Sequence, residues 1–133
     1  MAFKIYDSGK NFSQPVEYSK GTDNEAYVEG EALVFTSGVL TKCAATATPE
    51  AIALADQTAE STAVTLIPFI RVMEDHQFSV KSMATVASTL VGNKVTLHTD
   101  GLLITGTASS GVATIISTDG ATTTSNCVVS FRR

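Results

Sequence analysis

Lys94-Val95-Thr96-Leu97-His98-Thr99-Asp100-Gly101-Leu102-Leu103-Ile104 is the stretch on which the fold reading turns. Val95 and Leu97 alternate with Lys94, Thr96 and His98, the two-residue period of a half-buried strand. Asp100-Gly101 then offers a type I′ turn, which needs positive φ at both central residues. Beyond it Leu102 and Ile104 share a face, with Leu103 opposite. The same rhythm continues to the end of the chain. Val112 to Ser117 reads as a strand, Asp119-Gly120 as a turn, and Cys127, Val129 and Phe131 as the buried side of a last strand.

Working back toward the N-terminus, strand signals recur at short intervals, each closed by turn chemistry. Glu31–Thr36 and Val39–Cys43 are predicted to form a hairpin across Ser37-Gly38. Ala51–Leu54 reads as a short strand and Asp56–Thr62 as a polar loop. Val64–Met73 is the longest apolar run. Pro68 inside it lacks an N–H, which predicts an edge position or a bulge. Glu74-Asp75-His76 reads as a solvated turn, Phe78–Lys81 as a strand and Thr85–Leu90 as one helical turn. The expected core is Leu33, Phe35, Ile67, Ile70, Val72, Phe78, Val80, Val95, Leu97, Ile104, Val129 and Phe131. Short strands joined by glycine-containing turns predict a mostly β protein, a small antiparallel β-barrel or sandwich.

Composition agrees. Of 133 residues, 44% are hydrophobic and only 17% charged, with no Trp and three Pro, and Val, Ile and Thr suit a pleated surface. One domain accounts for this length.

The first 25 residues read differently. Phe3, Ile5, Tyr6, Phe12, Val16 and Tyr18 lie among polar residues without a helical or strand period, and Gly21-Thr22-Asp23-Asn24 closes the segment. Two readings stand. Residues 1–25 are an irregular strand and loop on their own domain, residues 26–133. Or they are an extended N-terminal arm that becomes ordered on another subunit, with those six side chains as anchors.

Nine Lys and Arg against thirteen Asp and Glu give a net charge of −4. The basic residues are scattered, which speaks against nucleic-acid binding. The sequence holds no apolar run of about 20 residues that would cross a bilayer, and its start has no apolar stretch of signal-peptide length. Cys43 and Cys127 sit among small or apolar neighbours, as buried reduced thiols do in a reducing cytoplasm.

Catalytic signatures fail one by one. His76 and His98 lack the paired ligands a metal needs. Gly106-Thr107-Ala108-Ser109-Ser110-Gly111 has the glycine spacing of a phosphate-binding loop, but Val112-Ala113 stand where Lys and Ser/Thr are required. No G-x-S-x-G occurs around a serine. The expectation is a binding or structural protein with no catalytic, metal or cofactor site.

Several segments carry a resemblance: Gly30-Glu31-Ala32-Leu33-Val34-Phe35-Thr36-Ser37-Gly38-Val39-Leu40-Thr41-Lys42-Cys43, then Pro49-Glu50-Ala51-Ile52-Ala53-Leu54, and later Ile70-Arg71-Val72, Gly92–Leu97, Asp100–Leu102 and Gly111–Ile115. Over roughly residues 26–133 the chain resembles the small head-decoration proteins of tailed bacteriophages and prophages. These are turn-and-strand patterns of low specificity. The resemblance implies a β-tulip-like body, a homotrimer at threefold positions of the head, and the major capsid protein as partner. Its implied place is the outer surface of the virion head, after synthesis in the host cytoplasm. It assigns no contact residue. A phage tail, baseplate or receptor-binding β module shares the composition and is the alternative expectation. Such a module would carry its aromatics in distal loops.

Overall fold

The computed structural model describes residues 2–7 and 15–131. Its strands are β1 (Lys4–Asp7), β2 (Glu17–Lys20), β3 (Ala26–Tyr27), β4 (Ala32–Thr36), β5 (Val39–Lys42), β6 (Ala51–Ala53), β7 (Gln57–Thr58), β8 (Leu66–Arg71), β9 (Gln77–Lys81), β10 (Lys94–Val95), β11 (Ala113–Thr118) and β12 (Asn126–Ser130). A 3-10 turn at Ser88–Leu90 falls inside the expected helical segment. The protein is mostly β, as the alternation predicts. Two five-stranded sheets, ordered β1-β9-β12-β11-β10 and β2-β8-β6-β4-β5, are accompanied by the small pair β3-β7.

Residues from both large sheets build the main core. From the first sheet, Phe78, Val80, Ile115, Cys127 and Val129 point inward; from the second, Ala32, Ile52 and Ile70 meet them, together with Phe131. The second sheet also curls on itself. A parallel bridge from Gly21 to Leu40 brings the β2 margin against β5. The hollow it encloses is filled by Tyr27, Leu33, Leu40, Ile67 and Phe69. Tyr27 closes this smaller core with polar precision: its hydroxyl donates to the Leu40 carbonyl at 2.5 Å and accepts the Thr22 N–H at 2.8 Å. Strand β8 therefore has apolar residues on both faces. Ile67 and Phe69 serve the curl, while Ile70 serves the main core.

Several local expectations are corrected. β8 is an interior strand between β2 and β6, so Pro68 does not mark an edge. Its carbonyl accepts the Leu54 N–H at 3.0 Å, just past the end of β6. Carbonyl and nitrogen of one strand residue face the same side, so the missing donor falls at the last rung of that ladder, where the Leu54 N–H bond is made without its return bond. The turn with two positive φ angles is Ser37-Gly38 (50° and 81°), whereas at Asp100-Gly101 only Gly101 is positive (72°). A Leu97–Ile104 bridge still joins the flanking segments, but β10 pairs with β11. The Asp56–Thr62 segment contains β7 rather than being all loop. Phe35 and Val72 are half-buried at the margins of the cores.

The N-terminal residues are woven into both sheets rather than extending from the domain. β1 pairs with β9, placing Ile5 opposite Phe78, and β2 pairs with β8, placing Tyr18 opposite Pro68. Phe3 is only 3% exposed, and its ring lies 5.4 Å from Phe131 and 6.4 Å from Phe78. Its N–H donates to the Gly30 carbonyl at 3.0 Å. The described part of residues 1–25 thus shares cores and ladders with residues 26–131, and no structural boundary falls at residue 25.

Candidate functional site

Of the six aromatic and aliphatic candidates, Phe3 is removed from any surface by its place in the core, and Phe12 lies outside the described residues. Ile5 is partly exposed beside the core at the margin of the first sheet, and Tyr6 is 65% exposed. A bulge between Ile5 and Asp7 interrupts the ladder around Tyr6. Val16 and Tyr18 lie at the margin of the other sheet, so the five described candidates do not form one cluster.

Tyr18 does acquire neighbours. Residues directly opposite on adjacent strands share a face, as do alternate residues along one strand. By these rules Tyr18, Pro68, Leu66 and Ile70 all lie on the face of the second sheet that turns toward the first. Ile70 is covered, at 6% exposed, but Leu66 is 52% and Tyr18 63% exposed. One continuous face is thus core at one end and a bare apolar ledge at the other. Leu66 escaped the sequence reading. It stands in the Val64–Met73 run, where a strand with apolar residues on both sides shows no alternation. Lys20, opposite Leu66, sets a charge on the ledge's own face, whereas Arg71 and Glu17 pair on the other face of the sheet, beside Phe69. The Arg71 guanidinium grips the Glu17 carboxylate with two bonds, 2.9 and 3.0 Å, and holds that carboxyl below its ordinary range.

The groups capable of chemistry are mostly turned inward. Cys43 is buried, its Sγ 3.1 Å from the Ala47 carbonyl, and burial pushes its thiol up to about 12. Cys127 is shifted upward for the same reason. Both thiols are unbridged, and a protonated thiol is a poor nucleophile. His76 is buried, contrary to the solvated turn expected there. Its Nδ1 accepts the Met73 N–H at 3.2 Å, and burial depresses its affinity for a proton, so the ring is a neutral structural cap for the 73–76 turn.

Glu31 is the unusual group. It is 1% exposed; Oε1 accepts the Val28 N–H at 3.0 Å, while Oε2 has no hydrogen-bond partner among the described residues. Desolvation raises its pKa, Lys42 opposes that shift, and Glu25 and Asp100 reinforce it. Its backbone is a junction: the Glu31 carbonyl accepts from Ala53, and next to it Ala32 donates to Gly101.

Comparison with protein-family models, with curated proteins and with solved structures finds no match.

Proposed function

We propose that this protein is a decoration protein of a tailed-phage head, which binds the outer capsid surface and stabilises it by holding neighbouring capsid subunits. The observation that carries the reading is the Tyr18–Leu66 ledge, apolar surface continuous with the core and left uncovered. Large apolar side chains exposed together favour protein contact, and Tyr is a frequent anchor in such contacts. Tyr6 and Ile5 offer a second exposed group at the margin of the other sheet. Two contact points on one rigid domain suit a clamp, since both must release together. The resemblance of the Gly30–Cys43 and Pro49–Leu54 segments supports the same reading and supplies the partner, the major capsid protein.

The anchors are to be tested by point variants, because deleting residues 1–20 would remove two strands and Phe3. Heads assembled without this protein are mixed with the wild type or with Tyr18→Ser/Leu66→Ser, then imaged and heated. The wild type should coat the heads and raise their rupture temperature, and the double variant should do neither while keeping its β circular dichroism. Wild-type protein that leaves heads bare would overturn the reading. Undiminished coating by the double variant would move the contact away from the ledge.

A further inference from the structure

Two grooves meet at Ala2, which contributes to the wall of each. The larger, about 380 Å³, is bounded by Glu29, Asp56 and Asp100, with Val28, Leu102 and Leu103 as its apolar part. The Glu29 N–H donates to Asp56 Oδ1 at 2.8 Å, fixing one carboxylate at the rim. Asp100 Oδ1 accepts from Leu102 at 2.8 Å and lies 3.1 Å from His98 Nδ1. The smaller groove, about 260 Å³, is bounded by Lys4, Ser79, Lys81 and Asn126. Lys4 stands opposite Ser79, and Lys81 lies two residues further along β9. Both lysines therefore belong to the outer face of the first sheet, away from Phe78 and Val80. Among the described residues, Lys4, Lys81, Glu29 and Asp56 form no ion pair.

We propose that the two grooves make one self-complementary surface, through which a second copy of this chain docks about a two-fold axis. Lys4 and Lys81 of each copy then reach the Glu29–Asp56–Asp100 groove of the other. Charge complementarity selects this occupant. Copies of a protein with net charge −4 repel one another unless their charges are segregated and opposed, and here an acidic and a basic groove adjoin. A two-fold rotation brings each onto the other, the reciprocal pattern that an isologous contact requires. A lysine has the right build for the acidic groove: its aliphatic stem can lie on Val28, Leu102 and Leu103 while its ammonium meets the carboxylates. Nucleic acid is a poorer occupant, because its phosphates would meet the carboxylates beside the lysines.

The contact needs no capsid, so purified full-length protein tests it separately from head binding. Analytical ultracentrifugation at low ionic strength should give a dimer that weakens about tenfold or more at high salt, where screening shortens to a few ångströms. Lys81→Glu and Asp56→Lys should each yield monomers. Mixing the two variants should restore a dimer, because both contacts are then attractive, one native and one with its charges reversed, and that rescue also shows that each variant folds. A wild-type monomer at low salt would overturn the proposal. So would a trimer, the count implied by the phage-protein resemblance, or a dimer indifferent to both substitutions. Retention on a single-stranded oligonucleotide that Lys81→Glu abolishes would reassign the lysines to nucleic acid.

Discussion

The first 25 residues and the last 40 form strands of similar length, yet only the second group announces itself. β11 and β12 are joined by a local turn whose Asp119 carboxylate accepts the N–H groups of Ala121 and Asn126, each at 3.0 Å. Cys127, Val129 and Phe131 alternate into the core along and just past β12, and in β11 a register shift between Ile115 and Ser117 is the one interruption. β1 and β2 pair instead with β9 and β8, far along the chain. They lie at sheet margins, where the face that would be buried in a central strand is partly bare. Periodicity in a sequence records burial. A marginal strand with little burial therefore leaves almost no pattern, even when its hydrogen bonds are complete.

The sharpest way to break this comparison is to truncate one ring from each end. Phe3→Ala and Phe131→Ala should each destabilise the protein by about 3–5 kcal/mol, read from urea unfolding. A change below about 1 kcal/mol for Phe3 alone would return the N-terminal segment to the status of an appended arm.

A smaller effect concerns the Val28–Glu31 turn, where the N-terminal segment meets the body of the second sheet. The folded-state pKa of Glu31 is raised above its ordinary 4.5. Its neutral form is thus favoured by folding, and the contribution is fully present below the unfolded pKa. It is lost as pH rises through the folded pKa. Stability should accordingly fall across the window that begins near 4.5 and extends upward, and Glu31→Gln should flatten that fall. A variant whose stability tracks the wild type at every pH would show that Glu31 does not control the turn.

The smallest expected change is at the ledge. Tyr18→Ser removes an exposed ring, so its effect on unfolding should stay within about 0.5 kcal/mol. A larger loss would mean that Tyr18 supports the sheet rather than offering a contact.

What could be read in the sequence follows the same logic. Val95, Leu97, Val129 and Phe131 were legible because they alternate with polar residues on strands covered from one side. The positions of β4, β5, β6, β9 and β12 followed from their turns. Tyr27 was not legible as a core residue, since its two-residue strand and buried hydroxyl depend on Leu40 and Thr22. Within the Val64–Met73 run Ile67 was legible as core and Leu66 was not singled out; Leu66 shares its face with Ile70, and only the reach of the opposing sheet separates ledge from core. His76 looked like a solvated turn residue and Glu31 like the first residue of a strand. Their burial is imposed by chain segments that pack over them, and nothing in their immediate neighbours signals it.

The pairing of β1 with β9 also orders events during synthesis. β1 is made before the other described strands, but its hydrogen-bonding partner is not made until residues 77–81 have been added. At ordinary elongation rates that interval is roughly 4–15 s. Through it Phe3 and Ile5 have no finished core to enter, and Tyr6 and Tyr18 are exposed with them. β1 therefore stays open to chaperones, or to a neighbouring chain, until β9 has been made, and Phe3 waits longer still for Phe131.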